Sequence, residues 1–148
     1  AFGQAIDAAA RDTTLPVMKP NEAMFDAAFS FGDRIAMIYT FPPASTGMEE
    51  EFAQATTARG SGAVLRSYFC DRALAAKRAG DDARHDRLIA ESARQIKEAD
   101  VIMLAQFSMA SAANALRQQT SMPILTSPET AVKELRRRVG AQDRGQTC

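Results

Sequence analysis

The stretch Asp100-Val-Ile-Met-Leu-Ala-Gln-Phe-Ser-Met109 decides how this chain folds. Val101 to Ala105 is a continuous apolar run that stops at Gln106 and passes straight into a small-residue helix over 109–119. An apolar run without alternation is the mark of a strand buried on both faces, as in a parallel sheet. Such a strand delivers Gln106, Phe107 and Ser108 to its carboxyl end, where open α/β sheets keep their ligands. Met122-Pro-Ile-Leu-Thr-Ser-Pro128 repeats the theme, with a strand at Ile124-Leu125 and a helix from Pro128 to Val139. Pro128 suits that start, because its missing N–H is not needed in a first turn.

Working outward, the same alternation runs back to the amino end. Ala1 to Arg11 reads as a helix with Phe2, Ile6 and Ala9 or Ala10 on one stripe, with no cap and no strand before it, so the chain is expected to be a fragment. Leu15 to Met18 reads as a short buried strand. Asn21 is placed to cap a helix through Phe31, closed by Gly32. Ile35 to Tyr39 is a further strand, and Thr46 opens a helix with Glu49, Glu50 and Glu51 in its first turn, where acid suits the dipole. Gly60-Ser-Gly62 ends it, Ala63 to Leu65 starts another strand, and 71–99 is helical with a break near Gly80, placing Leu88, Ile89, Ala93 and Ile96 on one face. Strands alternating with helices imply an α/β fold with a parallel sheet flanked by helices.

Composition narrows the function classes. A chain of 148 residues, 46% hydrophobic and 24% charged, can bury one core. The longest apolar run falls far short of the roughly 20 residues of a membrane-spanning helix, no secretory signal opens the sequence, and no membrane partner is expected. Eighteen basic residues balance eighteen acidic ones, so no net field draws phosphate backbones. The run Arg136-Arg-Arg138 is read as a helix end favouring the dipole, and nucleic acid is not expected as a partner. Two distant cysteines make neither a disulfide framework nor a metal cluster, which fits the cytoplasm. Cys70 reads as a small core residue, and Cys148 as part of a frayed tail. Gly60 and Gly62 precede a strand, the wrong side for a dinucleotide fingerprint.

Leu104-Ala105-Gln106-Phe107-Ser108 followed by a helix and a Pro-Ile strand resembles the second lobe of the aspartate/glutamate/hydantoin racemase superfamily. That lobe carries a strand, a Leu-Ala/Gly-Cys-Thr turn, a helix and a Pro-Val/Ile strand. The segment Leu15-Pro-Val-Met-Lys-Pro-Asn-Glu-Ala-Met24 is similar to the link between lobes, and Asp33-Arg-Ile-Ala-Met-Ile-Tyr-Thr40 to the strand that opens the second lobe. The resemblance implies one lobe of a two-lobe racemase-like fold. Residues 1–31 would be the end of the first lobe and the interlobe link, 32–126 the second α/β lobe, 127–140 a helix returning to the first lobe, and 141–148 a flexible tail. It implies a cofactor-independent racemase or isomerase acting at the α-carbon of a small amino acid or carboxylate, without a metal, and a homo-oligomer. Most of the first lobe and its cysteine are not in this sequence, so the chain is expected to be an incomplete enzyme, with a Cys-Ser pair expected just ahead of Ala1.

Exchanging an α-proton without a cofactor needs one group to remove it and another to return it, work that two tuned thiols can do. Where most members have the second cysteine this chain has Gln106, and a carboxamide neither gains nor loses a proton near neutrality. Gln106 is the catalytic candidate, as a hydrogen-bond donor to a carboxylate or enolate oxygen; the alternative is that it caps the next helix. This departure keeps open a one-cysteine decarboxylase, lyase or hydrolase, and a non-catalytic carboxylate-binding module. Phe107 and Ser108 open a helix suited to an anion. Thr40, Phe41 and Ser45 follow a neighbouring strand and are placed to line the cleft from the other side, with Pro42-Pro43 stiffening the loop. Asn21 and Thr126 are also candidates for substrate contact, against plain capping roles. His85-Asp86 invites a general-base reading, but within a polar helix it reads as a solvated face or subunit contact.

Overall fold

A computed structural model describes residues 3–145. The elements run α1 (Gly3–Arg11), α2 (Pro20–Phe29), β1 (Arg34–Tyr39), α3 (Pro42–Arg59), β2 (Val64–Phe69), α4 (Ala73–Arg78), α5 (Asp82–Ser92) with a 3-10 turn (Ala93–Gln95), and β3 (Val101–Leu104). A 3-10 helix (Phe107–Ala112), α6 (Ala113–Arg117), β4 (Ile124–Thr126) and α7 (Ser127–Gly145) complete the order. The four strands are parallel in the order β2-β1-β3-β4.

The alternation of side chains along each strand splits the core in two. Ile35, Met37, Val101 and Met103 face α2 and α3, meeting Met24, Phe25, Met48 and Phe52. Ala36, Ile38, Ile102 and Leu104 face the other way, against Ile89, Ala93, Met109 and Leu116. Every residue of β3 is buried, so the unbroken apolar run is a strand covered on both faces. At its amino end Asp100 accepts from the Arg34 backbone N–H (2.9 Å) and guanidinium (2.6 Å). Gly32 has a φ of +150°, and a Cβ there would collide with the Asp100 carboxylate, so only glycine fits.

Several expected boundaries move. Leu15 to Met18 forms no strand, and Leu15 is 73% exposed. A strand exists through ladder bonds, and none of the described strands pairs with this segment. The second helix is capped at Lys19 and has Pro20 in its first turn, so Asn21 lies inside it; the helix ends at Phe29, and Ser30 is its cap. Helix α3 starts at Pro42, four residues before Thr46: the two prolines open the helix instead of stiffening a loop. Gly60 ends it as expected, in the left-handed conformation at φ 61°. The strand expected at 63–65 runs through Phe69, and the helix expected over 109–119 is divided into the 3-10 and α segments. Helix α7 continues to Gly145, which puts Arg137 and Arg138 in its interior, where both pair with Glu134. Ala1, Phe2 and the end of the polar tail, Cys148 included, lie outside the described residues.

Candidate active site at the carboxyl ends of the strands

In the register of β1 against β3, Ile38 stands beside Leu104. Two residues further on each chain come Thr40 and Gln106, so the sheet brings these two to the same height. The Gln106 Oε1 accepts from the Thr40 backbone N–H at 3.0 Å and from the Thr40 hydroxyl at 3.1 Å. Because a backbone N–H can only donate, this arrangement fixes which end of the carboxamide faces Thr40. The Gln106 Nε2, with two protons to give, is left buried without an acceptor. Thr40 itself is 3% exposed.

The capping alternative for Gln106 is not what its side chain does. Its backbone occupies the cap position of the 3-10 helix in extended geometry (φ −114°, ψ 147°), but the side chain makes no capping bond and turns to β1 instead. A buried donor left unsatisfied costs about 1–3 kcal/mol, and natural structures rarely keep one without use for it. An acceptor oxygen reaching this nitrogen would recover that cost.

The other expected site residues divide. Phe107, Ser108 and Phe41 stand on the outer surface beside this pair, with Phe107 57% exposed and Phe41 42% exposed. Ser45 lies in the first turn of α3, where its buried hydroxyl donates to the Pro42 carbonyl, so it does not line a cleft. Asn21 is neither a cap nor a free ligand group: its amide donates to Glu51 and its carbonyl accepts from the buried Ser127, which ties α2, α3 and α7 together. Thr126 is buried and serves the start of α7, accepting from the Glu129 N–H at 3.4 Å while its carbonyl accepts from Thr130.

Of two further groups, Cys70 lies where the sequence placed it and His85 does not. Cys70 is buried in the core behind β2, and burial pushes its thiol up from its ordinary value, the reverse of nucleophile activation. His85 is not on a solvated face: the ring is 1% exposed, with Nδ1 2.7 Å from Asp86 Oδ1. Ser111 donates to the same carboxylate oxygen at 2.8 Å. Sequence reasoning missed this contact and the Thr40–Gln106 pair, because both join residues that only the packing of strands and helices brings together. Among the described residues no group of histidines, cysteines and carboxylates is gathered to hold a metal, and no helix is long and apolar enough to cross a membrane.

The backbone is similar to two solved racemases. Glutamate racemase isoform RacE1 from Bacillus anthracis is 15% identical with a TM-score of 0.65, the match covering 95% of this chain and 55% of that one. Allantoin racemase from Pseudomonas fluorescens is 21% identical with a TM-score of 0.67, over 86% of this chain and 54% of that one. The chain thus spans about half the length of each. No curated protein matches it. The sequence profile of Asp/Glu/hydantoin racemases matches residues 1–135, nearly the full length, so the chain belongs to the Asp/Glu/hydantoin racemase family.

Proposed function

We propose that this chain supplies one wall of a cofactor-independent isomerase of the racemase type, acting at the α-carbon of a small amino acid or carboxylate. The observation that carries the reading is the Gln106 carboxamide, fixed by Thr40 at the strand end with its nitrogen unsatisfied. When an α-proton leaves, negative charge develops on the adjacent carboxylate or enolate oxygen. A preoriented N–H donor stabilises that charge more than it stabilises the ground state. Proton transfer at one face of the α-carbon falls to a thiol supplied by the family's other lobe; the Gln106 carboxamide does not titrate, so the opposite face is served by a water molecule in the cleft. Gln106 is the residue that touches the substrate oxygen; Thr40 positions it. Self-association into a homo-oligomer and a cytoplasmic location belong to the same reading.

Gln106 also favours a second reading. A site with one titrating thiol can protonate an enolate on one face only, which suits decarboxylation or a lyase step better than two-way racemisation. A binding module without chemistry would use the same donor merely to hold an anion.

The test, made with this chain joined to a first lobe that carries the thiol, is α-proton exchange in heavy water with the two enantiomers of aspartate, of glutamate and of a hydantoin. Exchange from both enantiomers supports the isomerase. Release of carbon dioxide from a malonate-type substrate, without exchange, would replace it with the decarboxylase. Binding without either reaction would leave the module. Gln106→Ala is expected to slow the reaction roughly ten- to a hundredfold, the worth of a hydrogen bond to a charged oxygen at about 1.5–3 kcal/mol.

A further inference from the structure

Gln106 is held on one side by Thr40, and the helix that follows it is held from the other. The 3-10 helix Phe107–Ala112 is six residues long, more than this geometry sustains unaided, since its hydrogen bonds are poorly aligned. Buried Met109 and Ala112 pin its inner face, and the Met109 N–H closes it onto the Gln106 carbonyl at 3.0 Å. Its outer face depends on Ser111, whose hydroxyl donates to Asp86 of α5 at 2.8 Å.

A hydroxyl bonded to a surface carboxylate usually fixes little, because the carboxylate can rotate away into water. Here it cannot rotate freely. The His85 ring, buried in the first turn of α5, holds the same Asp86 oxygen at 2.7 Å. Burying an imidazole costs free energy that a leucine or methionine would not, unless its polar atoms are matched. Packing alone therefore gives no reason for a histidine there, whereas orienting Asp86 does.

We infer that His85 and Asp86 are positioning residues for the ligand-binding turn. His85 sets the Asp86 carboxylate, Asp86 holds Ser111, and through the 3-10 helix this fixes the direction of the Gln106 amide. The inference rests on the reading of Gln106 as a substrate-binding group, and it assigns a role to the one histidine of the chain.

The experiment reads the Gln106 side-chain amide directly, by nitrogen-proton NMR, as the hydrogen-exchange rate of its Nε2 protons. Ser111→Ala changes an exposed residue and is expected to leave the melting temperature in place while speeding that exchange at least tenfold. Asp86→Ala is expected to speed that exchange by as much, with a lowered melting temperature because the buried His85 ring loses its partner. The Asp86→Ala/Ser111→Ala pair is expected to show no further increase in exchange, because both act through one contact. Asp86→Asn, which keeps an acceptor oxygen in place, is expected to restore most of the protection. Unchanged Gln106 exchange in Ser111→Ala and Asp86→Ala would overturn the inference, as would additive effects in the pair. None of these measurements uses turnover. If the amide responds as expected while no substrate is processed, the functional reading fails and the positioning role stands.

Discussion

Gln106 and Gly32 are the residues on which the two ends of the sheet depend. Gln106→Ala removes an unsatisfied donor, but it also takes the acceptor from two Thr40 donors in a buried setting. Two orphaned donors outweigh one relieved, so we expect a net loss of about 1–3 kcal/mol in stability alongside the loss of activity. Thr40→Val keeps the backbone N–H bond and deletes only the hydroxyl, so it should cost less than Gln106→Ala in urea unfolding. Equal losses would show that the hydroxyl alone fixes the carboxamide. At the other end, Gly32→Ala is expected to be costlier than an alanine at Gly47, Gly60, Gly62, Gly80 or Gly140, where a Cβ meets nothing. It meets the Asp100 carboxylate and forces a backbone angle that side chains avoid, for a cost of about 1–3 kcal/mol read as a lowered melting temperature. A melting temperature unchanged in Gly32→Ala would mean that the 31–33 turn relaxes without cost.

Among the elements, β3 was the most legible in sequence and the segment 15–18 the least, for one physical reason. Continuous burial writes itself into composition, and Val101 to Leu104 could not be apolar throughout unless both faces were covered. Leu15 to Met18 is apolar too, but a strand also needs a neighbour, and nothing local records its absence. Pro42-Pro43 misled differently: the same residues stiffen a loop or open a helix, and which one depends on where Phe41 leaves the sheet. Thr40 and Gln106 were each chosen as candidates, yet their bond follows from the register of β1 on β3, which parallel pairing leaves unwritten in either strand. The expectation of a solvated face or subunit contact at His85 fails because a polar helix hides which of its faces is packed. The strands should differ in mutational cost accordingly. Met103→Ala, in the buried strand, is expected to lose about 2–5 kcal/mol, whereas Val64→Ala on the exposed edge strand β2 should stay within about 0.5 kcal/mol in denaturant titrations. Similar losses at both sites would mean that β2 is covered in solution.

At the scale of the whole molecule, ion pairs within and between elements make folding sensitive to acid. The Arg34 guanidinium and backbone hold the Asp100 carboxyl below its ordinary value, joining β1 to the start of β3. Lys77 lowers Asp82 across the α4–α5 turn, and Arg137 and Arg138 lower Glu134 to about 2 within α7. In each case the folded protein releases its proton more readily than the unfolded chain does. The stabilisation is therefore complete above the ordinary carboxylate range near pH 4 and is lost as pH falls through the lower folded values, toward about 2 for Glu134. All three pairs meet solvent, so salt screens them and the individual contributions are small. Arg34→Ala isolates the one that crosses the sheet. It removes the main cause of the Asp100 shift, so the variant should be less stable than the parent at pH 6. That gap should close as pH drops from about 4 toward 2, since protonated Asp100 no longer rewards the guanidinium. High salt should narrow the gap at pH 6 as well. A gap that stayed constant from pH 6 to pH 2 in urea unfolding would show that Arg34 acts through the packing of its stem on the sheet and not through its charge.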